Sequence, residues 1–262
     1  MSNIQRPLAL ITGASSGIGF ELAKQFADHG FDIAMSSSSD AIYSAAEQIT
    51  KLGVEAYPFK ADASTYEGVE GFWKFTQALG RQVHSAVLNV GICKGGAFVD
   101  TSLEDEFKIL AVNVTGTIHM AKRVVHHMYS YNFGKILIVS SVSATTPTPY
   151  ETCYGPSKAF GFSFAESLRE ELIDTGISVT ALLPGATNTE FHANAGLGNS
   201  IIGRSQKNDK THVAMQGYMA LMTNLDFMVG GDTSTQQVVV ENKTTPETVK
   251  AARHAKLVKL PE

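Results

Sequence analysis

Leu8-Ala9-Leu10-Ile11-Thr12-Gly13-Ala14-Ser15-Ser16-Gly17-Ile18-Gly19 is the stretch that decides the fold of this 262-residue chain. Its apolar opening, Leu8 to Ile11, shows no polar alternation and so predicts a strand buried on both faces. Past the glycines, Ile18, Leu22 and Phe26 recur every four residues, the spacing of one helix face. Gly30 stands where a helix C-terminus favours glycine, and residues 31–35 resume as a strand, completing a βαβ unit. Between a strand and a helix, a glycine pattern points to dinucleotide binding. Gly13, Gly17 and Gly19 fit the three roles: a tight turn, close approach of backbone to a pyrophosphate, and close helix–strand packing. Ser15, Ser16 and Ile18 share that turn at a helix N-terminus, whose free N–H groups and positive dipole end favour an anion.

The alternation continues outward from this unit. Helices are expected over 40–51, 66–79, 104–128 and 154–175, with strands over 55–59, 85–88, 135–139 and 178–183. A helix over 212–221 leads to a seventh strand at 227–229 on one edge. The predicted fold is a Rossmann-type, doubly wound α/β domain with a seven-stranded, mostly parallel sheet and helices on both faces. No repeat or linker interrupts it, so residues 1–231 read as one domain. Residues 189–208 are rich in Gly, Asn and Ser without a clear period, which suits a substrate lid. Residues 232–262 read as a polar tail with one short helix, opened by Thr245-Pro246-Glu247 as cap, N1 proline and early acid.

Composition narrows the function classes. Apolar residues make up 44% and charged residues 18%, a balance that supports a buried core. A formal net charge of -4 gives no general attraction to nucleic acid or an anionic membrane, and neither is expected as a partner. The stretch beginning Met1-Ser2-Asn3-Ile4 lacks the apolar core of a secretory leader, and the apolar runs fall far short of the roughly 20 residues that cross a bilayer. A cytoplasmic location follows as the expectation. Cys93 and Cys153 cannot make a disulfide framework and read as reduced thiols in packing roles. His126, His127 and His192 lack partners at metal spacing, so no metal is expected.

Tyr154-Gly155-Pro156-Ser157-Lys158 sets a phenol and an ammonium four residues apart, on one face if helical. A free tyrosine titrates near ~10, so a neighbouring cation that favours phenolate turns it into a useful acid/base. Pro156 is compatible with helix only in the first turn, which puts Tyr154 at the positive end of the dipole. The segment follows the strand ending Ile138-Val139-Ser140-Ser141, whose C-terminal end should face a cofactor crevice.

On these ordered motifs the chain resembles the short-chain dehydrogenase/reductase family, from Pro7 to about Gly231. Leu88-Asn89-Val90-Gly91 is similar to that family's Asn-Asn-Ala-Gly block, with Leu88 and Val90 departing from it. Asp62, followed by Ala63, matches its adenine-contacting acid, and Asn113 its helix asparagine. The family's serine lies thirteen positions before its tyrosine, which selects Ser141 over Ser140. Pro184-Gly185 with Thr187 and Thr189 is similar to the block that holds the nicotinamide amide, Thr189 fitting best. The resemblance implies a catalytic set of Asn113, Ser141, Tyr154 and Lys158: Ser141 bonds the reacting oxygen, Tyr154 transfers the proton, Lys158 holds the ribose and tunes Tyr154, and Asn113 supports a water relay. It also implies NAD(P)(H) as cofactor, a small carbonyl or alcohol substrate, and a homodimer or homotetramer. Asn89 and Asn113 have a plainer reading as caps of backbone groups. A non-catalytic nucleotide-binding regulator is the alternative function, and it fits a degraded catalytic set rather than a complete one. Nucleotide-sugar epimerase chemistry suits a longer chain with another glycine spacing.

Cofactor choice turns on Ser36-Ser37-Ser38-Ser39-Asp40 at the end of the second strand. NAD-binding folds place an acid there, and that carboxylate repels a 2′-phosphate. By resemblance the acid position falls on Ser37 and the NADP-binding arginine on Ser38, so both charges are missing. A modest preference for NADP(H) over NAD(H) is expected, with Asp40 as the residue able to reverse it.

Overall fold

Residues 8, 10 and residues 9, 11 of the apolar opening turn out to belong to two different cores, which is why no polar residue alternates with them. In the computed structural model, which describes residues 5–260, all five residues of β1 (Leu8–Thr12) are buried. Residues 1–4, read above for a leader, and 261–262, the end of the tail, lie outside the described residues. The chain proceeds through α1 (Gly17–Asp28), β2 (Asp32–Ser37), α2 (Ala41–Thr50), β3 (Ala56–Lys60), α3 (Tyr66–Ala78) and β4 (Val83–Leu88). After α4 (Leu103–Leu110) and α5 (Thr117–Tyr131) come β5 (Gly134–Val139), α6 (Tyr154–Glu171) and β6 (Ile177–Pro184). Two short helices, α7 (Phe191–Asn194) and α8 (Ile201–Arg204), precede α9 (Lys210–Met222), β7 (Phe227–Gly230), α10 (Thr233–Asn242) and α11 (Glu247–Val258).

The seven strands form one sheet in the order β3-β2-β1-β4-β5-β6-β7, and every pairing is parallel. Ala9 and Ile11 pack with Leu22 and Phe26 of α1, Ile42 of α2 and Val213 of α9. Leu8 and Leu10 pack on the other face with Phe72 of α3, Val124 and Met128 of α5 and Ala165 of α6. Successive strand residues point to opposite faces, so helices on both sides demand apolar residues throughout. Each fully buried Leu, Ile or Phe contributes roughly 1.5–3 kcal/mol. The strand order reverses between β1 and β4, and a crevice opens beyond the C-terminal ends of the strands there.

Two expectations are revised. The single helix over 104–128 is interrupted by a π turn, Ala111–Gly116, between α4 and α5. At Gly116 a Cβ would sit 2.3 Å from the Ala63 carbonyl oxygen, so the helix approaches the β3–α3 loop closely. One inserted residue does not disturb the apolar period enough to be read, yet such bulges often mark functional sites. The second revision concerns the tail, where two helices form in place of one. α10 is capped by Asp232, which accepts the Thr235 N–H at 2.8 Å, and Pro246 occupies the N-cap of α11 rather than N1. Lys250, His254 and Val258, spaced by four, form the buried face of α11.

Candidate active site

The crevice is a cleft of about 410 Å³ bounded by the glycine loop, the ends of β2, β4, β5 and β6, the start of α6 and the 189–208 segment. Gly13 adopts φ +67°, and a Cβ there would lie 2.9 Å from Asn89 Nδ2; at Gly19 a Cβ would meet the Gly13 oxygen at 2.2 Å. Glycine is therefore required at both, for the turn and for the close approach. Asn89 fastens the loop from below, donating to the Thr12 and Gly13 carbonyls at 3.0 and 3.1 Å. The Ser16 hydroxyl does not cap α1 and no acid stands in its first turn. That leaves the helix N-terminus open to an anion, an arrangement suited to the pyrophosphate of a dinucleotide.

Ser15, Ser16, Ser37, Ser38 and Ser39 continue the lining, with the Ser15 hydroxyl donating to Ser37 Oγ at 2.8 Å. Asp40 turns away: its carboxylate pairs with Lys60 at 3.1 Å, is 77% exposed and does not line the cleft. Asp62 Oδ1 accepts the N–H and hydroxyl of Ser64 at 2.9 and 2.7 Å, which holds its carboxyl below the usual range. Neither Asp62 nor Ala63 borders the main cleft; Ala63 lines a small space adjoining Gly13 and Ser37.

Tyr154 opens α6 and is buried, with Pro156 in the first turn as the sequence requires. Lys158 sits one turn on, donates to the Val139 carbonyl at 3.0 Å, and lies 5.8 Å from the Tyr154 ring centre. A Cβ at Gly91 would stand 2.8 Å from its ammonium, so glycine there makes room for the lysine. The two serines separate in use. Ser140 donates to the Lys158 carbonyl at 2.7 Å, whereas the Ser141 hydroxyl donates to the Pro184 carbonyl at 3.5 Å and accepts the Ser143 N–H at 3.1 Å. Burial drives Lys158 down to about 8. Tyr154 is pushed up, first by burial and then by Cys93 and Glu151, with the nearby Ser141 hydroxyl acting in the opposite sense. The expectation that Lys158 favours the phenolate is thus not visible here: its ammonium is turned to a carbonyl, and desolvation dominates the phenol.

Asn113 does not line the cleft. Its carboxamide accepts the Ile92 N–H, donates to the Ile92 carbonyl and donates to Ser157 Oγ, each at 2.9 Å. It holds the segment after β4 and the α6 helix in register, so the plain capping reading describes its side chain, as it does that of Asn89. Pro184, Gly185, Thr187 and Thr189 all border the cleft. Thr187 donates to the Gly185 carbonyl at 2.8 Å, and a bridge between Thr187 and Asn208 closes the base of the 189–208 segment. The Phe191 ring, in α7, lies 5.3 Å from that of Tyr154.

Among the titratable lining residues, Glu151, Glu190, His192 and His254 carry no sequence expectation as site groups. The legible signal for His254 was its spacing from Lys250 and Val258, which puts a histidine on the inner face of a helix. Glu151 offered only its place three residues before Tyr154. Cys93 is pushed well above the thiol range by burial and Glu151, and Cys153 up to about 11, mainly by burial, so neither is an available nucleophile. Among the described residues no three His, Cys, Asp or Glu side chains are grouped as metal ligands would be, and no helix is long and apolar enough to cross a membrane.

Comparison with known proteins agrees with this geometry. Oxidoreductase UcpA of Salmonella typhimurium is 29% identical over 265 aligned residues, spanning 95% of this chain and 98% of that protein. Among solved structures, a short-chain dehydrogenase from Sphingobium yanoikuyae in complex with NADPH superposes with a TM-score of 0.81 at 23% identity, covering 90% of this chain and 93% of that one. A short chain dehydrogenase/reductase from Burkholderia phymatum in complex with NAD gives 0.81 at 21% identity, covering 94% and 98%. The family profile described as short chain dehydrogenase matches residues 7–200. With its sheet order, its glycine loop and this match, the chain belongs to the short-chain dehydrogenase family of oxidoreductases.

Proposed function

We propose that this protein is an NAD(P)(H)-dependent oxidoreductase that moves a hydride between nicotinamide and a carbonyl or alcohol carbon, with Tyr154 as general acid/base. The observation that carries the reading is the meeting of Ser141, Tyr154 and Lys158 in one cleft that begins at the uncapped N-terminus of α1. The nicotinamide group supplies or accepts the hydride when bound. Ser141 orients the substrate oxygen by a hydrogen bond. In reduction Tyr154 delivers its proton to that oxygen as the carbon gains hydride, and in oxidation it takes the proton back. Lys158 holds the ribose hydroxyls and keeps a positive charge near the phenol; Pro184 to Thr189 bracket the nicotinamide end. Asn113 acts by holding Ile92 and Ser157 rather than by touching the substrate.

NADP(H) is the favoured cofactor. Five serine hydroxyls line the ribose end of the cleft with no acid among them, and Asp40 is engaged by Lys60. A second copy of the chain is the expected partner, since Leu103, Phe107 and Leu110 share one exposed face of α4 at spacings of four and three. The deciding experiment follows nicotinamide absorbance against a panel of ketones, aldehydes, quinones, sugars and steroids. Turnover of a carbonyl with kcat/KM higher for NADPH than for NADH is expected. No hydride transfer with any member rejects the activity, and a higher value with NADH rejects the cofactor preference, Asp40→Ala then showing whether that carboxylate is responsible.

A further inference from the structure

Tyr154 stands at the start of α6, and the turn that leads into it is held by more than its neighbours in sequence. The Glu151 carbonyl accepts the N–H groups of Tyr154 at 2.9 Å and of Gly155 at 3.4 Å, so Glu151 fixes the first turn of the helix. Thr148 braces the same place, its hydroxyl donating to the Glu151 carbonyl at 2.9 Å and accepting the Gly155 N–H at 3.1 Å. A Cβ at Gly155 would lie 2.2 Å from that hydroxyl oxygen, which leaves the turn no slack. Tyr150, just before Glu151, adopts a φ of 67°, a left-handed conformation that is unfavourable for a residue with a Cβ. Such backbone persists only where its surroundings over-determine it.

The surroundings that do so come from distant segments. The Glu151 side chain is buried with both oxygens engaged: Oε2 lies 2.8 Å from His254 Nε2 of α11, and Oε1 accepts the Cys93 thiol at 3.2 Å. The Gly96 N–H donates to the Tyr150 carbonyl at 2.9 Å. A buried carboxyl group keeps its place only while its oxygens are hydrogen-bonded. Without the His254 ring, Oε2 would be buried with no partner among the described residues. Because Glu151 lines the cleft, the favourable response is a swing of its side chain towards solvent, which pulls on the turn before Tyr154. α11 itself would stay docked, since Lys250 donates to the Thr145 and Asn242 carbonyls and Val258 is fully buried. Glu151 also acts on the phenol through space: after burial and Cys93, it is the next group that pushes Tyr154 up.

We propose that His254 is a positioning residue for the acid/base tyrosine: from the C-terminal helix it holds Glu151, and Glu151 holds the turn from which Tyr154 projects. α11 thereby sets the rate of proton transfer as well as walling the cleft. The effect on rate rests on the reading of Tyr154 as acid/base; the latch between α11 and the turn does not.

The test compares variants of the full chain by carbonyl turnover and, separately, by hydrogen exchange of residues 148–158 read by mass spectrometry. His254→Leu should lower kcat by about tenfold or more, as a small misplacement of a reacting group does, with the NADP⁺ dissociation constant held within a few-fold. His254→Gln, whose amide can reach the same carboxyl oxygen, should recover most of the loss. His254→Asn, polar but too short to reach Glu151, should behave like His254→Leu, which keeps the test available if a leucine there unfolds the chain. Val258→Ala loosens α11 without touching Glu151 and should leave kcat within a few-fold of wild type. Combined with Tyr154→Phe, His254→Leu should add little further loss, because the group it positions is gone. Exchange in 148–158 should quicken in His254→Leu and not in His254→Gln, with β5 as protected as before. An unchanged kcat in both His254→Leu and His254→Asn, an equal fall in Val258→Ala, or losses that multiply in the double variant overturn the proposal. If no carbonyl is turned over even by the wild-type chain, exchange decides: quickening confined to the turn supports the latch and counts against the dehydrogenase reading, whereas unchanged exchange overturns the latch.

Discussion

At Tyr154 the chemistry rests on one oxygen. Tyr154→Phe removes the proton donor while leaving the ring packed against Phe191, so kcat should fall by about 10²–10⁴-fold with nucleotide affinity held within a few-fold. Retention of more than about a third of kcat, with chemistry rate-limiting, would remove Tyr154 from its role. Lys158 makes a pH prediction. Burial places its pKa at about 8, so the ammonium is present below that pH and is lost as pH rises through it. Carbonyl reduction should accordingly decline on the alkaline side of about 8, and Lys158→Met should lose nucleotide affinity together with that limb of the profile. An unchanged profile in the variant, with normal affinity, would show that the lysine serves only to bond Val139.

Among the elements, the 189–208 segment, expected from sequence to act as a lid, is the one whose anchoring is easiest to test. Ala195 and Leu197 of this segment pack with Val258 of α11, with Cys93, Tyr150 and Ile202 alongside, so residues 189–208, the C-terminal helix and the segment after β4 share a small core of their own. Lys250, also buried, fastens α11 elsewhere, donating to the Thr145 carbonyl in the turn after β5 and the Asn242 carbonyl of α10 at 3.2 Å each. Leu197→Ala removes a fully buried side chain, a change that typically costs about 2–5 kcal/mol. Because the cluster is separate from the two main cores, the loss should appear as local opening: faster proteolysis within 189–208 and a raised KM, with a smaller fall in Tm. A wild-type cleavage rate in the variant would refute this division.

For the whole molecule, the exposed face of α4 is the feature to account for. Leu103 and Phe107 are 65% and 61% exposed, with Phe98 and Val99 just before the helix at 60% and 88%. Light scattering on the purified chain should give a dimer or tetramer, and Phe107→Asp should shift it towards monomer by placing a charge in that face. A wild-type protein that is monomeric at micromolar concentration would refute the assignment of this surface to a second copy.

Short-range residue patterns determined the fold and the line of the cofactor site. The run Leu8 to Ile11, the glycines at 13, 17 and 19, and the pair Tyr154 and Lys158 are all decided within one strand, one turn or one helical turn, where sequence spacing is spatial spacing. What spacing could not convey was contact between distant segments. The choice between Ser140 and Ser141 became structural only when Ser140 was seen bonded to the Lys158 carbonyl. Asn113 was found at its expected place, but its partners, Ile92 and Ser157, lie 21 and 44 residues away. Glu151 and His254 are 103 residues apart, and the fourfold spacing that puts His254 on the inner face of α11 does not name its partner. The tail read as polar because α10 and α11 bury a lysine, an asparagine and a histidine beside their apolar residues. Burial of such groups is favourable only with partners already in place, and those partners exist only once the chain has folded.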